Sequence, residues 1–522
     1  MLREANETMD AKAAKDDICT ARVLRTAYEV AKSSNSFKQF PKLIEMQRLN
    51  GLDMGTNLYS EKACPSIIRF IAKEMKSTMI QYIKTNSLPF SIMVDESTTA
   101  ANTTGLTMDI RFNLNGQPVN FFYELIELKG TSGEEIADAI WQILTGKPSL
   151  QETSKNNFSD KFVKTHLKSI ACDGASAMYG AYKGAVSVLS EKYGVKKLLK
   201  IHCLAHRLEL GINDAVDEVP AFKEFALVSA KLYALYSRSP KKLRELSAIA
   251  FELGIRLRAI RRVFDVRWAM SSKKAVDSML ENLGAIRSHV GKLKKRAAAA
   301  IVKMKQHSKR KVNTKKEFGL ASYLHKKLGD YCFVAKLSFL SDCLHELGEL
   351  SLYFQSEAMS PMTVAHHLEQ CRSALVGLIE NNGTALTRFF KAAFDDDHVF
   401  KGVCFDISRQ GDFETVRTQF IDALVCSFDK RFKDSSAIFK KAAFLNPKSW
   451  QHLTPEARVH FGQSEVADLA NHFEISEVLV RRQFRDWKGN PQASTLGKDL
   501  KSLLDVLSVI AFSSASCERD FR

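Results

Sequence analysis

The spacing of apolar and polar positions changes twice along the chain. Up to about residue 85 the apolar residues recur at helical intervals. Ala21 to Lys32 is amphipathic, Ser33-Ser34-Asn35-Ser36 is a polar break, and a second helix runs from Pro41 to Leu49. Pro in its first turn and Gly51 past its end are ordinary helix punctuation. From residue 89 the period becomes two. Phe90 to Val94, Gly105 to Leu114 and Val119 to Leu128 read as three strands, the second and third joined through Asn115-Gly116, a strong hairpin signal. A helix over Glu134 to Leu144, a strand over Leu167 to Cys172, a helix over Ala175 to Tyr193, a short strand over Leu198 to Cys203 and a helix over Leu204 to Val216 follow, so the order is β-β-β-α-β-α-β. From about 220 to about 490 strand alternation almost disappears. Sets such as Phe222, Phe225, Ala226 and Val228, or Leu337, Leu340, Leu344, Leu347 and Leu350, predict a helical block. Leu500 to Phe512 is a last apolar stretch. The expected division is a helical region over 1–85, an α/β core over 86–220, a helical insertion over 221–490 and a C-terminal core element over 491–522.

Two of the expected strands end in an aspartate. Asp95 closes Phe90 to Val94, and Asp173 closes Leu167 to Cys172 and leads into Gly174-Ala175-Ser176, a tight turn before a helix. A buried strand that ends this way delivers a carboxylate to the rim of a sheet, where ligands of open α/β sheets bind. Glu96 competes with Asp95, but successive strand residues face opposite sides, and Asp95 is the expected site residue. Cys203-x-x-His206 has the spacing of half a zinc site, yet no second Cys or His pair lies within the usual span, so no structural zinc is expected.

At 522 residues the chain exceeds the roughly 250–300 at which single cores stop growing, so more than one structural unit is expected. A net charge of +17 and a pI of about 9.3 suit a polyanion such as duplex DNA. Between Lys292 and Lys316 lie eleven Lys or Arg and no acid. Lys294, Lys295, Arg296, Lys309, Arg310 and Lys311 are the expected backbone contacts, and Arg481, Arg482, Arg485, Trp487 and Lys488 form a second, shorter patch. The 10 cysteines lack a paired framework, which suits a reducing compartment. The first residues are too polar for a signal peptide, and no apolar run reaches the ~18 residues of a membrane span. No membrane partner is expected, and the nucleus is the expected location.

Five segments in order resemble the hAT superfamily of DNA transposases and their domesticated relatives, in the vertebrate branch usually found behind zinc fingers. They are Ile92-Met93-Val94-Asp95-Glu96-Ser97-Thr98-Thr99; Cys172-Asp173-Gly174-Ala175-Ser176-Ala177-Met178 with Lys183-Gly184; His202-Cys203-Leu204-Ala205-His206-Arg207-Leu208; Val266-Arg267-Trp268; and Ser513-Ser514-Ala515-Ser516-Cys517-Glu518-Arg519. The resemblance implies a ribonuclease H-like core interrupted by a large all-α insertion, in agreement with the strand and helix order above. It implies strand cleavage and transfer assisted by two Mg²⁺ (or Mn²⁺) ions, held by Asp95, Asp173 and, as third ligand, Glu518. His206 would donate to the scissile phosphate or pack beneath the site. Trp268, beside Arg267, would stack on a base flipped out next to the transposon end.

The chain departs from the family where it stops at Phe521-Arg522, before the family's hydrophobic dimerisation segment, and in Asp520 and Arg522 beside the last motif. It also has no BED-type finger before residue 85. Full-length members are expected to be homo-oligomers. Two functions follow: a DDE-type transposase, or a domesticated, catalytically silent regulator that binds DNA or protein, as in transcription or SUMO-pathway scaffolding. A ribonuclease H-type nuclease is a third, disfavoured by the long insertion and Trp268.

Overall fold

The computed structural model describes residues 2–98, 103–146, 157–180, 183–263, 269–303, 309–357, 359–395, 397–407, 411–490 and 496–521, with the side chains of 2–13, 98, 309–311, 434–436, 518, 520 and 521 left out. The fold is mixed α/β and mostly helical. It divides into two compact units, one of residues 1–88 with 138–166, the other of residues 89–137 with 167–522.

In the first unit the helices Leu2–Lys32, Phe40–Leu49 and Ala63–Thr85 pack through Val23, Ala27, Val30, Phe40, Ile44, Cys64 and Ile67. The second unit holds a five-stranded sheet: β1 (Phe90–Thr98), β2 (Thr104–Leu114), β3 (Gln117–Glu127), β4 (Leu167–Cys172) and β5 (Leu199–His202), in the order β3-β2-β1-β4-β5. β1 pairs antiparallel with β2 and parallel with β4, and β4 is parallel to β5. The β2–β3 turn is Asn115-Gly116, with φ of 52° and 83°; this left-handed pair is why Asn-Gly is favoured there.

The helix expected over Ala175 to Tyr193 is two short ones, Ser176–Tyr179 and Ala185–Glu191. Gly180 and Gly184 approach so closely that a Cβ on Gly184 would lie 2.4 Å from the Gly180 nitrogen, so the chain folds back here and the helix cannot continue. Within the otherwise helical block a two-residue antiparallel pair appears, β6 (Val399–Phe400) with β7 (Val403–Cys404).

One continuous apolar core runs through the second unit, from Met93, Ala171 and Ile201 under the sheet to Phe222, Leu337, Leu344, Phe420 and Phe512. No helix among the described residues is long and apolar enough to cross a membrane.

Candidate active site

β1 and β4 run side by side at the centre of the sheet, with Ile92 opposite Ile170 and Met93 opposite Ala171. The same offset of 78 residues, extended past the last pair, sets Asp95 beside Asp173, the first residue after β4, while β1 itself continues to Thr98, beyond the end at Val94 expected from the sequence. Ser91 and Ser169, each four residues before its aspartate, are hydrogen-bonded at 2.8 Å on that face. Period-two alternation then sets Asp95 and Asp173 on the face of Ser91, Met93, Ser169 and Ala171, with Glu96 on the other. Asp95 is buried and Asp173 half-buried, its Oδ1 accepting from the Ala175 backbone N–H at 3.2 Å. Glu96 is held above the usual carboxylate range, first by burial and then by the charge of Asp173. Negative charge is thus concentrated at this rim.

The C-terminal segment is fastened over the same face. The helix Lys498–Ser508 ends at Arg111, whose Nε donates to the Ser508 carbonyl, and Asn113 donates to the Ser508 hydroxyl at 2.9 Å. Ala511 N–H then donates to Ser169 Oγ at 3.0 Å. Leu204 N–H donates to the Phe512 carbonyl at 2.9 Å, and Ser514 N–H to Cys203 Sγ at 3.4 Å. In the final helix, Ala515–Phe521, the Cys517 thiol donates to the Met93 carbonyl at 3.3 Å. Glu518 is the next residue on this helix; its side chain lies outside the described residues. Among the described side chains no three of His, Cys, Asp or Glu converge on one point, and Asp95 and Asp173 are the two of the expected ligands that are described.

β5 and the helix after it complete the rim. Cys203 is buried against Ser513 and Ser514, and its N–H donates to the Cys172 carbonyl at 2.8 Å, directly before Asp173. His206 is half-buried in the first turn of Leu204–Glu218, its ring 5.6 Å from that of His202. His202 packs against Gly174, where a Cβ would lie 2.3 Å from the imidazole, so the turn after Asp173 needs a glycine. Burial, aided by Arg207 and His206, pushes the His202 imidazole down to about 3; it is neutral at physiological pH, and its buried Nε2 has no hydrogen-bond partner among the described residues.

Arg267 and Trp268 lie outside the described residues. The helix Ala269–Glu281 begins directly after them, and Glu209, three residues beyond His206, accepts from the Ala269 N–H at 2.6 Å. Sequence reasoning missed Glu209; its spacing from His206 on one helix face was the available signal.

The basic stretch forms two helices, Leu283–Lys303 and Lys309–Lys327, antiparallel because Gly291 meets His325 and Gly329 meets Arg287. Lys295 is exposed and Lys294 half-buried, whereas Arg296 is engaged by Glu245 at 3.0 Å. Lys309, Arg310 and Lys311 are in the first turn of the second helix, their side chains outside the described residues. The shorter patch is corrected. Arg481, Arg482 and Arg485 are exposed, but Trp487 packs edge-on against the buried Trp450, and Lys488 is buried with its ammonium on the Val459 and Phe461 carbonyls.

No family model matches the chain.

Proposed function

We propose that this chain is a hAT-type transposase-like protein that acts on duplex DNA in the nucleus, with a ribonuclease H-like core and two-metal strand cleavage and transfer. The observation that carries the reading is the parallel pairing of β1 with β4 at an offset of 78 residues, which extended two positions sets Asp95 beside Asp173, on the face over which the Glu518-bearing helix is fastened. The sheet order β3-β2-β1-β4-β5, with its first three strands antiparallel, supports the same core.

The donor set fits Mg²⁺ or Mn²⁺. Neighbouring strands are about 4.8 Å apart, so carboxylates side by side on them can share hard divalent ions; Glu96, raised by burial first and then by Asp173, senses the charge there. Asp95 and Asp173, with Glu518 as third ligand, would hold them; when bound, the ions activate the attacking hydroxyl and steady the leaving oxygen. The chain's own part is placement. Asp173 is fixed by its turn and by the close fit of His202 on Gly174, and Asp95 is rigid within β1. His206 stands at the same rim as the donor to a phosphate oxygen. The exposed Lys295 and its neighbours provide backbone contacts for DNA.

Nicking of supercoiled plasmid with Mn²⁺, parent against Asp173→Asn, tests the reading. Nicking by the parent that the variant lacks is expected. If the parent is inert yet binds duplex DNA, the domesticated regulator replaces it.

A further inference from the structure

The proposed chemistry leaves unused a cleft of about 460 Å³ in the helical part of the second unit. Its walls are Ala269–Glu281, the buried helix Tyr331–Phe354, the first turn of Thr384–Ala393, and Lys401 at the β6–β7 turn, with Arg258 at one side. That volume lies in the range of sites for small molecules.

The lining carries four acids and four permanent cations, and their pairing is uneven. Asp277 accepts from Lys273 Nζ at 2.7 Å and from Ser341 Oγ at 2.6 Å. Glu281 accepts from Lys401 Nζ at 2.7 Å. Asp342 is buried and spends both oxygens on the start of the Thr384–Ala393 helix, accepting from Ala385 N–H at 2.8 Å and Leu386 N–H at 2.9 Å. This cap fits only because residue 383 is glycine, since a Cβ there would lie 2.3 Å from the Asp342 carboxyl carbon. Three of the four carboxylates are therefore occupied by the protein itself. The guanidinium groups of Arg258 and Arg388, by contrast, have no hydrogen-bond or ion-pair partner among the described residues, and both are exposed at the cleft. Each presents five N–H donors, and the paired ammoniums of Lys273 and Lys401 keep further donors. Donors are in excess, and Glu346 is the one lining acid without a described side-chain partner. A forked guanidinium matches phosphate oxygens in two-point geometry.

We propose that this cleft binds the phosphate group of a small organic phosphate, gripped between Arg258 and Arg388. The two arginines hold phosphate oxygens, and Lys273 and Lys401 add charge while remaining paired to Asp277 and Glu281.

Titration calorimetry with inorganic pyrophosphate at about 0.15 M salt tests this, with the parent compared to an Arg258→Ala/Arg388→Ala double variant. Both side chains are exposed, so the fold is retained; circular dichroism checks it, and Arg388→Gln alone is the second variant. The parent is expected to bind and the double variant to lose at least about tenfold in affinity, with Arg388→Gln between them. Pyrophosphate should also raise the unfolding temperature of the parent more than that of the double variant. No binding by the parent, or equal binding by all three proteins, overturns the proposal. A short DNA duplex should bind parent and double variant alike; a parallel loss of duplex affinity would assign the arginines to the DNA backbone and overturn the small-molecule site. None of these readouts depends on nicking.

Discussion

On β2 four polar side chains, Thr107, Asp109, Arg111 and Asn113, alternate with Leu106, Met108, Ile110 and Phe112, and all eight are buried. On the neighbouring β1 the charged residues come only at the rim, at Asp95 and Glu96, after a run of buried residues. Two of the polar side chains of β2, Arg111 and Asn113, are bonded within the fold. The Arg111 guanidinium donates to the carbonyls of Ser508, Glu357 and Met359 and to Asn120 Oδ1, and Asn113 meets Ser508. The acids beside the end of β4 instead lie close together, and Glu96 is held up by burial first and then by the charge of Asp173. A polar residue bonded on every side, such as Arg111, stabilises the assembly, whereas like charges gathered at a rim cost stability.

The contrast breaks first at Arg111. Arg111→Ala leaves buried carbonyls without a donor at about 1–3 kcal/mol each, so a loss of about 3–5 kcal/mol is expected in urea denaturation. A loss below about 1 kcal/mol would show that the C-terminal segment does not depend on this clamp. Asp173→Asn should behave in the opposite way, leaving stability within about 1 kcal/mol of the parent or raising it, because a like charge beside Glu96 is removed. What it should abolish is stabilisation by Mn²⁺. At a hundred times its Kd the ion is expected to add about 2.7 kcal/mol to the parent and little to the variant, read by thermal unfolding.

Lys488 sharpens the comparison, since it too is a buried cation met by backbone carbonyls, those of Val459 and Phe461, with its ammonium 4.3 Å from the centre of the Phe484 ring. Arg111 is pushed down only to about 10 by burial and stays charged at neutral pH; Lys488 is pushed down to about 8, by burial and then Arg485. The unfolded lysine keeps its proton up to about 10.4, so the unfolded state binds more protons between the two values. Stability should therefore rise as pH goes from about 8 to about 10, by at most about 1.4 kcal/mol per unit. Lys488→Met should remove that rise, as denaturation midpoints at pH 7.5 and 10 would show.

These residues also show what local patterning carries. The Asn115-Gly116 hairpin, the bounds of β4 and the aspartate directly after it were legible because each depends on its immediate neighbours, whereas Asp95, expected to close its strand, lies inside β1, which β2 pairs as far as Thr98. That Asp95 and Asp173 share one level depends on the pairing of strands far apart in the chain, which spacing alone suggests without fixing. The alternation on β2 would ordinarily read as one wet face; here the C-terminal segment, about 400 residues later, covers it. Lys488 and Trp487 looked like a surface patch because a helix face is known only once its partner is, in this case Trp450 and the 459–461 carbonyls. Glu209 went unseen for a similar reason, its role being to cap a helix 60 residues away.

The smallest effect tests the rim most directly. Glu96 is raised by burial first and by Asp173 second, so the folded state keeps its proton above the pH at which the unfolded chain, near 4.3, has released it. The folded state then binds more protons in that window, and this contribution to stability is complete below the unfolded value and lost as pH rises through the folded one. Glu96→Gln should flatten that acidic limb in denaturation midpoints taken from pH 4 to 7, and at pH 7 should be slightly more stable than the parent. Asp173→Asn should shift the limb to lower pH without abolishing it, because the burial part remains while the neighbouring charge is gone. An unshifted limb in Asp173→Asn would mean that the two carboxylates do not sense each other, and the rim would lose the charge crowding that distinguishes it from β2.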